Sequence, residues 1–167
     1  MPVDSGVHVV PGAGDTAGLG DGLAVQFKVV GHQTGGSLAV VEHPIEPRVI
    51  VDPHRHERED ELSYVLQGTV CARVGDTEIE ATPGSYVWKP RGVPHTLWNP
   101  GPRPARIIEF ITPAGLERCF EEFALLLVRS PAPSEEELYA VCDRYGLTFD
   151  RTWLPDIEAR FDRMRIV

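Results

Sequence analysis

The chain has 167 residues and a formal net charge of −9 with its histidines neutral, enough for one domain with a sizeable core and too little for two ordinary ones. The acidic balance argues against a nucleic-acid or anionic-membrane surface, since both need a basic patch to displace counterions. No stretch reaches the apolar length of a membrane span, and "MPVDSGVHVV" lacks the basic start and apolar core of a secretory signal, so the expectation is a cytoplasmic protein with a small-molecule partner.

Residues 1–21 read as an irregular N-terminal arm. Their "PGAGDTAGLGDG" is glycine-rich, yet it lacks the Lys-Ser/Thr of a phosphate-binding loop and no strand-loop-helix unit surrounds it. From 22 to 112 the chain repeats one theme. Short runs rich in β-branched and aromatic residues, "LAVQFKVV", "SLAVVEH", "LSYVLQ", "TVCARV", "SYVWK", "HTLWN" and "ARIIEFI", are separated by the turn formers "GHQTGG", "VGD", "TPG", "PRGVP" and "NPGPRP". Many short strands without a helical period between them predict an all-β domain, a closed or nearly closed antiparallel barrel.

Residues 113–167 change character and form a helical extension. In "AGLERCFEEFALLLV", Leu116, Phe120, Phe123 and Leu127 recur at spacings of three and four, the period of a helix with one buried face. "SEEELYAVCDRYG" adds a capping box, Ser134 with Glu137, and ends on Gly146. A third candidate, "DIEARFDRMRI", is marked only by Ile157, Phe161 and Met164. These helices are expected to pack outside the barrel. Cys71, Cys119 and Cys142 lie far apart in sequence with no C-x-x-C pair, and read as small apolar residues in a reducing compartment.

The stretch "DPHRHEREDE", residues 52–61, carries the chemistry. In a strand, residues two apart share a face, so His54 and His56 aim their rings at one spot. The charged "ERED" interrupts that strand, and parity restarts with "ELSYVLQG". If Glu61 faces inward there, Ser63, Val65 and Gln67 share its side, while Leu62, Tyr64 and Leu66 face outward. Glu57, Glu59 and Asp60 then fall in the connecting turn as a solvated charge run. In "GSYVWKPRGVPHTLWN", residues 84–99, His95 opens a strand and is a candidate third imidazole, and Asn99 is a turn former. Three imidazoles and one carboxylate suit a divalent first-row metal. His8, His32 and His43 fit no motif.

These two stretches resemble the paired signature motifs of the cupin superfamily. The first reads H-x-H, four residues, E, six residues, G, with His54, His56, Glu61 and Gly68 in those places. The second reads G, five residues, P-x-G, two residues, H, three residues, N, matched by Gly84, Pro90, Gly92, His95 and Asn99. One position departs: the leading glycine of the first motif falls at Arg48. The resemblance implies an antiparallel jelly-roll β-barrel holding one divalent transition metal per chain through His54, His56, Glu61 and His95. Iron, manganese, nickel, cobalt and copper tolerate such ligands, as does zinc, although structural zinc sites are usually tetrahedral and thiolate-rich.

"YVLQGTV", "PRGVPHTLWNPG" and "ITPAGLERCFEEFA" look most like small bacterial cupins similar to quercetin 2,3-dioxygenases. That resemblance implies a substrate enol or enolate oxygen on the metal, Glu61 alternating between ligand and general base, and dioxygen adding to the activated ring of a flavonol-like or other enolisable aromatic. Ser63, Val65, Trp88 and Leu97 are the expected pocket wall, with Phe27, Val40 and Phe110 behind them. Two other classes share the same ligands: an isomerase or cyclase using the metal as a Lewis acid, and a non-catalytic cupin that binds metal or a small molecule. Cupin barrels often pair edge to edge, so a homodimer is expected.

Overall fold

The computed structural model describes residues 6–161 and 164–167. Its first sheet is six-stranded, in the order β1 (Thr16–Gly20), β2 (Leu23–Val29), β3 (Ala39–Ile45), β11 (Ala105–Thr112), β6 (Asp60–Gln67) and β9 (Tyr86–Lys89). The second centres on β10 (His95–Trp98). One edge of β10 pairs with β7 (Val70–Val74), which continues to β8 (Thr77–Ala81). Its other edge meets β4 (Val49–Ile50) at Trp98 and β5 (His54–His56) at His95, two short strands that β13 (Arg165–Ile166) and β12 (Leu147–Phe149) extend.

The result is a jelly roll of two facing sheets. The closed or nearly closed antiparallel barrel expected from the sequence takes this jelly-roll form, its two sheets, among the described residues, joined by no ladder. Alternation along the strands explains the core. Val25, Val41, Ile45, Val65, Ile107 and Ile111 point between the sheets and are fully buried. The opposite face of the first sheet is half open. Leu62, Tyr64 and Leu66 lie outward as their parity requires, beside exposed Tyr86 and Trp88.

The helices are α1 (Glu117–Leu127), α2 (Glu135–Arg144) and α3 (Leu154–Arg160). The predicted capping box is present, with the Glu137 amide donating to Ser134 Oγ and the Ser134 amide donating to Glu137 Oε2. Between α1 and α2 the buried Cys119 and Cys142 thiols lie beside each other, so two of the three distant cysteines are neighbours in space. α3 covers a second apolar cluster, Ile50, Cys71, Trp98, Leu154 and Ile157, on the outer side of the second sheet.

Three sequence expectations change here. The arm contributes a strand, because Leu19 can be buried while the rest of "TAGLG" pairs with β2. The extension is not purely helical, since β12 and β13 add to the second sheet. The third helix begins two residues early and ends at Arg160; its predicted C-terminal part overlaps residues 162–163, which lie outside the described residues, and the strand β13.

Candidate metal centre

β5 and β10 are antiparallel neighbours with His54 opposite His95, so those two rings start on adjacent strands, and His56 follows two residues along the same face. Glu61 comes from β6 in the facing sheet. One donor atom from each of His54, His56, Glu61 and His95 lies within 4.8 Å of every other. His54 Nδ1 bonds the Asp52 carbonyl at 2.6 Å and His95 Nδ1 bonds the Val93 carbonyl at 3.0 Å. Those contacts put the proton on Nδ1 and leave Nε2 as a lone pair, as for metal-binding imidazoles generally. His54 Nε2 and His56 Nε2 approach to 3.1 Å, and His56 Nε2 and His95 Nε2 lie 3.4 and 3.3 Å from Glu61 Oε2.

The donor set fits a divalent cation. Bonds of about 2.1 Å require ligand atoms about 3 to 4 Å apart, and the cluster has that scale. His95 Nε2 is buried without a well-aligned hydrogen bond among the described residues, so its lone pair fits a metal ligand. Burial, then the neighbouring rings, lower the His54 pKa well below its ordinary value; burial lowers that of His95 too. Both rings are therefore neutral, as coordination requires.

A cavity of about 70 Å³ opens over the cluster, walled by Leu19, Leu23, Ile45, Val51, Leu97, Ile107 and Phe120 with His43, Lys89 and Glu109. Phe120 brings α1 into the wall, so the C-terminal helices do not all lie outside the site. A larger groove of about 960 Å³ runs between the N-terminal segment and α1 and contains none of the four candidate ligands.

Lys89 and Glu109 were not read from the sequence. Lys89 is only 3% exposed, with Nζ 2.9 Å from Glu61 Oε2 and 2.8 Å from Glu109 Oε2. Ser63 Oγ also donates to Glu109, at 2.9 Å. Burial pulls the Lys89 pKa down, but Glu109 and Glu61 outweigh it and leave it raised. Burial pushes Glu109 up to about 7 against the pull of Lys89. For Glu61, burial raises the pKa, yet Lys89 and the histidines hold it well below the carboxylate range. The desolvation expected of a base at Glu61 is present and is outweighed.

The expected pocket wall is largely corrected. Leu97 lines the cavity. Ser63 and Val65 face inward but lie in the packed layer beyond it. Trp88 is 51% exposed, because it pairs with outward Leu62, while its neighbour Lys89 pairs with inward Glu61. Directly opposed residues share a face, so this register decides the matter. Phe110 and Val40 pair with each other in the same outward row, leaving Glu109 and Val41 inside. Phe27 lines the larger groove. His43, which matched no motif, is in the cavity wall, with Nδ1 2.9 Å from the Ala24 carbonyl and its ring edge-on to Phe120.

The acidic run is corrected too. Glu57 is exposed and Asp60 pairs with Arg91, but Glu59 is 4% exposed with a buried, unpartnered Oε2, and burial raises its pKa. Asn99 is a buried clamp: Nδ2 donates to the Ile45 and Arg103 carbonyls, and Oδ1 accepts from the Gly101 amide. At the two motif positions that set turns, Gly68 has φ 76° and a Cβ there would meet Ala105 Cα at 2.8 Å, while Arg48 takes the glycine-like φ of 65° without being glycine.

Residues 42–111 match the family model Cupin_2, described as Cupin domain. Among solved structures the chain is similar to KdgF from Halomonas sp., at 18% identity and TM-score 0.60 over 68% of this chain and 99% of that one. It is also similar to an RmlC-like cupin from Shewanella frigidimarina, at 21% and 0.59 over 68% and 96%. The polyketide cyclase RemF from Streptomyces resistomycificus is similar at 20% and 0.56 over 65% and 80%. At these identities the likeness carries the fold alone. A search of curated proteins gives no match. Residues 42–111 thus match a cupin domain, and the jelly roll and the two spaced motifs agree with that match.

Proposed function

We propose that the protein is a metal-dependent enzyme acting on a small enolisable molecule, with dioxygen as co-substrate. The observation that carries this reading is the four-donor cluster at the floor of an apolar cavity. His54, His56, Glu61 and His95 would hold a divalent cation, which would supply Lewis-acid polarisation of a substrate oxygen. Asp52 and Val93 fix two rings through their carbonyls, and Lys89 keeps Glu61 ionised as a ligand. Leu97, Ile107 and Phe120 exclude water from the reacting molecule. The dioxygenase assignment draws on the resemblance to quercetin 2,3-dioxygenases stated above. Cavity size narrows the substrate: about 70 Å³ is less than half the roughly 150 Å³ that admits benzene, so a flavonol does not fit the shape present and a smaller enolisable compound does.

One observation favours a second reading, an oxygen-independent isomerase or cyclase. Glu109 lines the cavity with a pKa of about 7, suited to moving a proton between substrate atoms, and one structural neighbour is a polyketide cyclase. Oxygen uptake on adding small enolisable compounds to the metal-loaded protein tests the first reading. Conversion of the same compounds under anaerobic conditions, with no uptake in air, overturns it in favour of the second.

A further inference from the structure

The cavity wall contains an ammonium that the proposed chemistry has used only to hold Glu61. Lys89 carries three N–H donors. Two are engaged, by Glu61 and Glu109, and among the described residues no acceptor takes the third. Lys89 is itself one of the residues that face the cavity. The other lining groups decide what that donor would meet.

Charge bookkeeping within the cavity points the same way. With a divalent cation on the donor cluster, the carboxylates of Glu61 and Glu109 offset its two charges, and Lys89 leaves one positive charge uncompensated. The remaining wall is apolar, so that charge is poorly screened by the protein.

We propose that Lys89 makes this a site for small monoanions, a short carboxylate or an enolate, one oxygen of which would accept from Lys89 Nζ beside the donor cluster. This rests on the metal reading above and narrows it to a charge class of substrate. The volume of about 70 Å³ limits the ligand to a few non-hydrogen atoms. Nothing in the residue pattern signals it, because a lysine at a strand end is ordinarily read as solvated.

Acetate and acetamide are nearly the same size and differ in charge, so they are the probes. The visible absorption of the cobalt(II)-loaded protein reports occupancy, at fixed ionic strength and without reference to turnover. Acetate should perturb the spectrum at a concentration on the order of tenfold to hundredfold below acetamide, the range of one charge-assisted hydrogen bond. Lys89→Met, once titration shows that it still takes one cobalt per chain, should narrow the difference by about tenfold. Glu109→Gln, which keeps the bonds to Lys89 and Ser63 and removes a negative charge, should bind acetate more tightly, and it serves if the methionine variant does not fold. Equal affinity for the two probes in the wild type, a preference in Lys89→Met as large as in the wild type, or weaker acetate binding in Glu109→Gln overturns the proposal while leaving the metal site intact. Failure of the wild-type protein to take cobalt refutes the metal reading, and the anion site with it.

Discussion

Protonation of His43 should unfold the site from within. The ring is 8% exposed, wedged against Phe120, and burial lowers its pKa from 6.5 to about 4. A base with a depressed folded pKa binds its proton more readily when unfolded. Its contribution to stability is therefore complete above pH 6.5 and is lost as the pH falls toward 4. Evaluated between pH 7 and 5, those two values give a loss of about 2 kcal/mol. Glu109 tilts the opposite way: raised from 4.5 to about 7, it stabilises fully below 4.5 and loses that contribution as the pH rises through 7. Total stability consequently mixes both signs, and the informative quantity is the difference between wild type and His43→Gln, whose amide can still donate to the Ala24 carbonyl. Urea unfolding of both proteins at pH 7, 6 and 5, with chelator present, measures it. Wild type should lose about 2 kcal/mol relative to the variant over that range. Parallel pH profiles would refute the claim that His43 is a buried neutral imidazole.

Other outcomes follow from the register and the backbone. Arg48→Gly should stabilise the fold by about 0.5–1 kcal/mol, since relief of the left-handed conformation at φ 65° exceeds the entropy glycine costs in the unfolded chain; a destabilisation by urea melts would mean that the arginine side chain holds the turn. Trp88→Ser should leave metal stoichiometry and acetate binding at wild-type values, as the side chain lies outside; loss of either in a folded variant would reverse the assigned register of β9. Glu59→Gln should raise stability by about 1–2 kcal/mol at pH 8, because it removes a buried unpartnered carboxylate, and calorimetric melts showing a lower Tm would indicate an unrecognised partner for Glu59.

The donor cluster was legible because its signal is local. An i, i+2 histidine pair states its own geometry once the segment is extended, and two spaced motifs fix the remaining members. The pocket wall was not legible, since a one-residue choice of parity turns a strand over. Hydrophobicity favoured Trp88 and Phe110 as inward residues, whereas pairing with Leu62 puts both outside and brings Lys89 and Glu109 in. Burial of Lys89 and Glu109 is offset by their mutual contact and by Glu61 and Ser63, and single-residue propensities do not register such a network. Strands β4, β12 and β13 have two or three residues, too few for a period, and exist because β10, β5 and β4 offer ladders to complete. Glu59 shows the same limit: a charge run reads as solvated until the fold buries one member of it.

Titration calorimetry of wild type and His56→Ala with cobalt(II) at neutral pH tests the central claim most directly. The account predicts one cation per wild-type chain and at least a hundredfold weaker binding by a variant whose circular dichroism is unchanged, about 3 kcal/mol for a lost ligand. Absence of binding by the wild type, or equal binding by the folded variant, would contradict it.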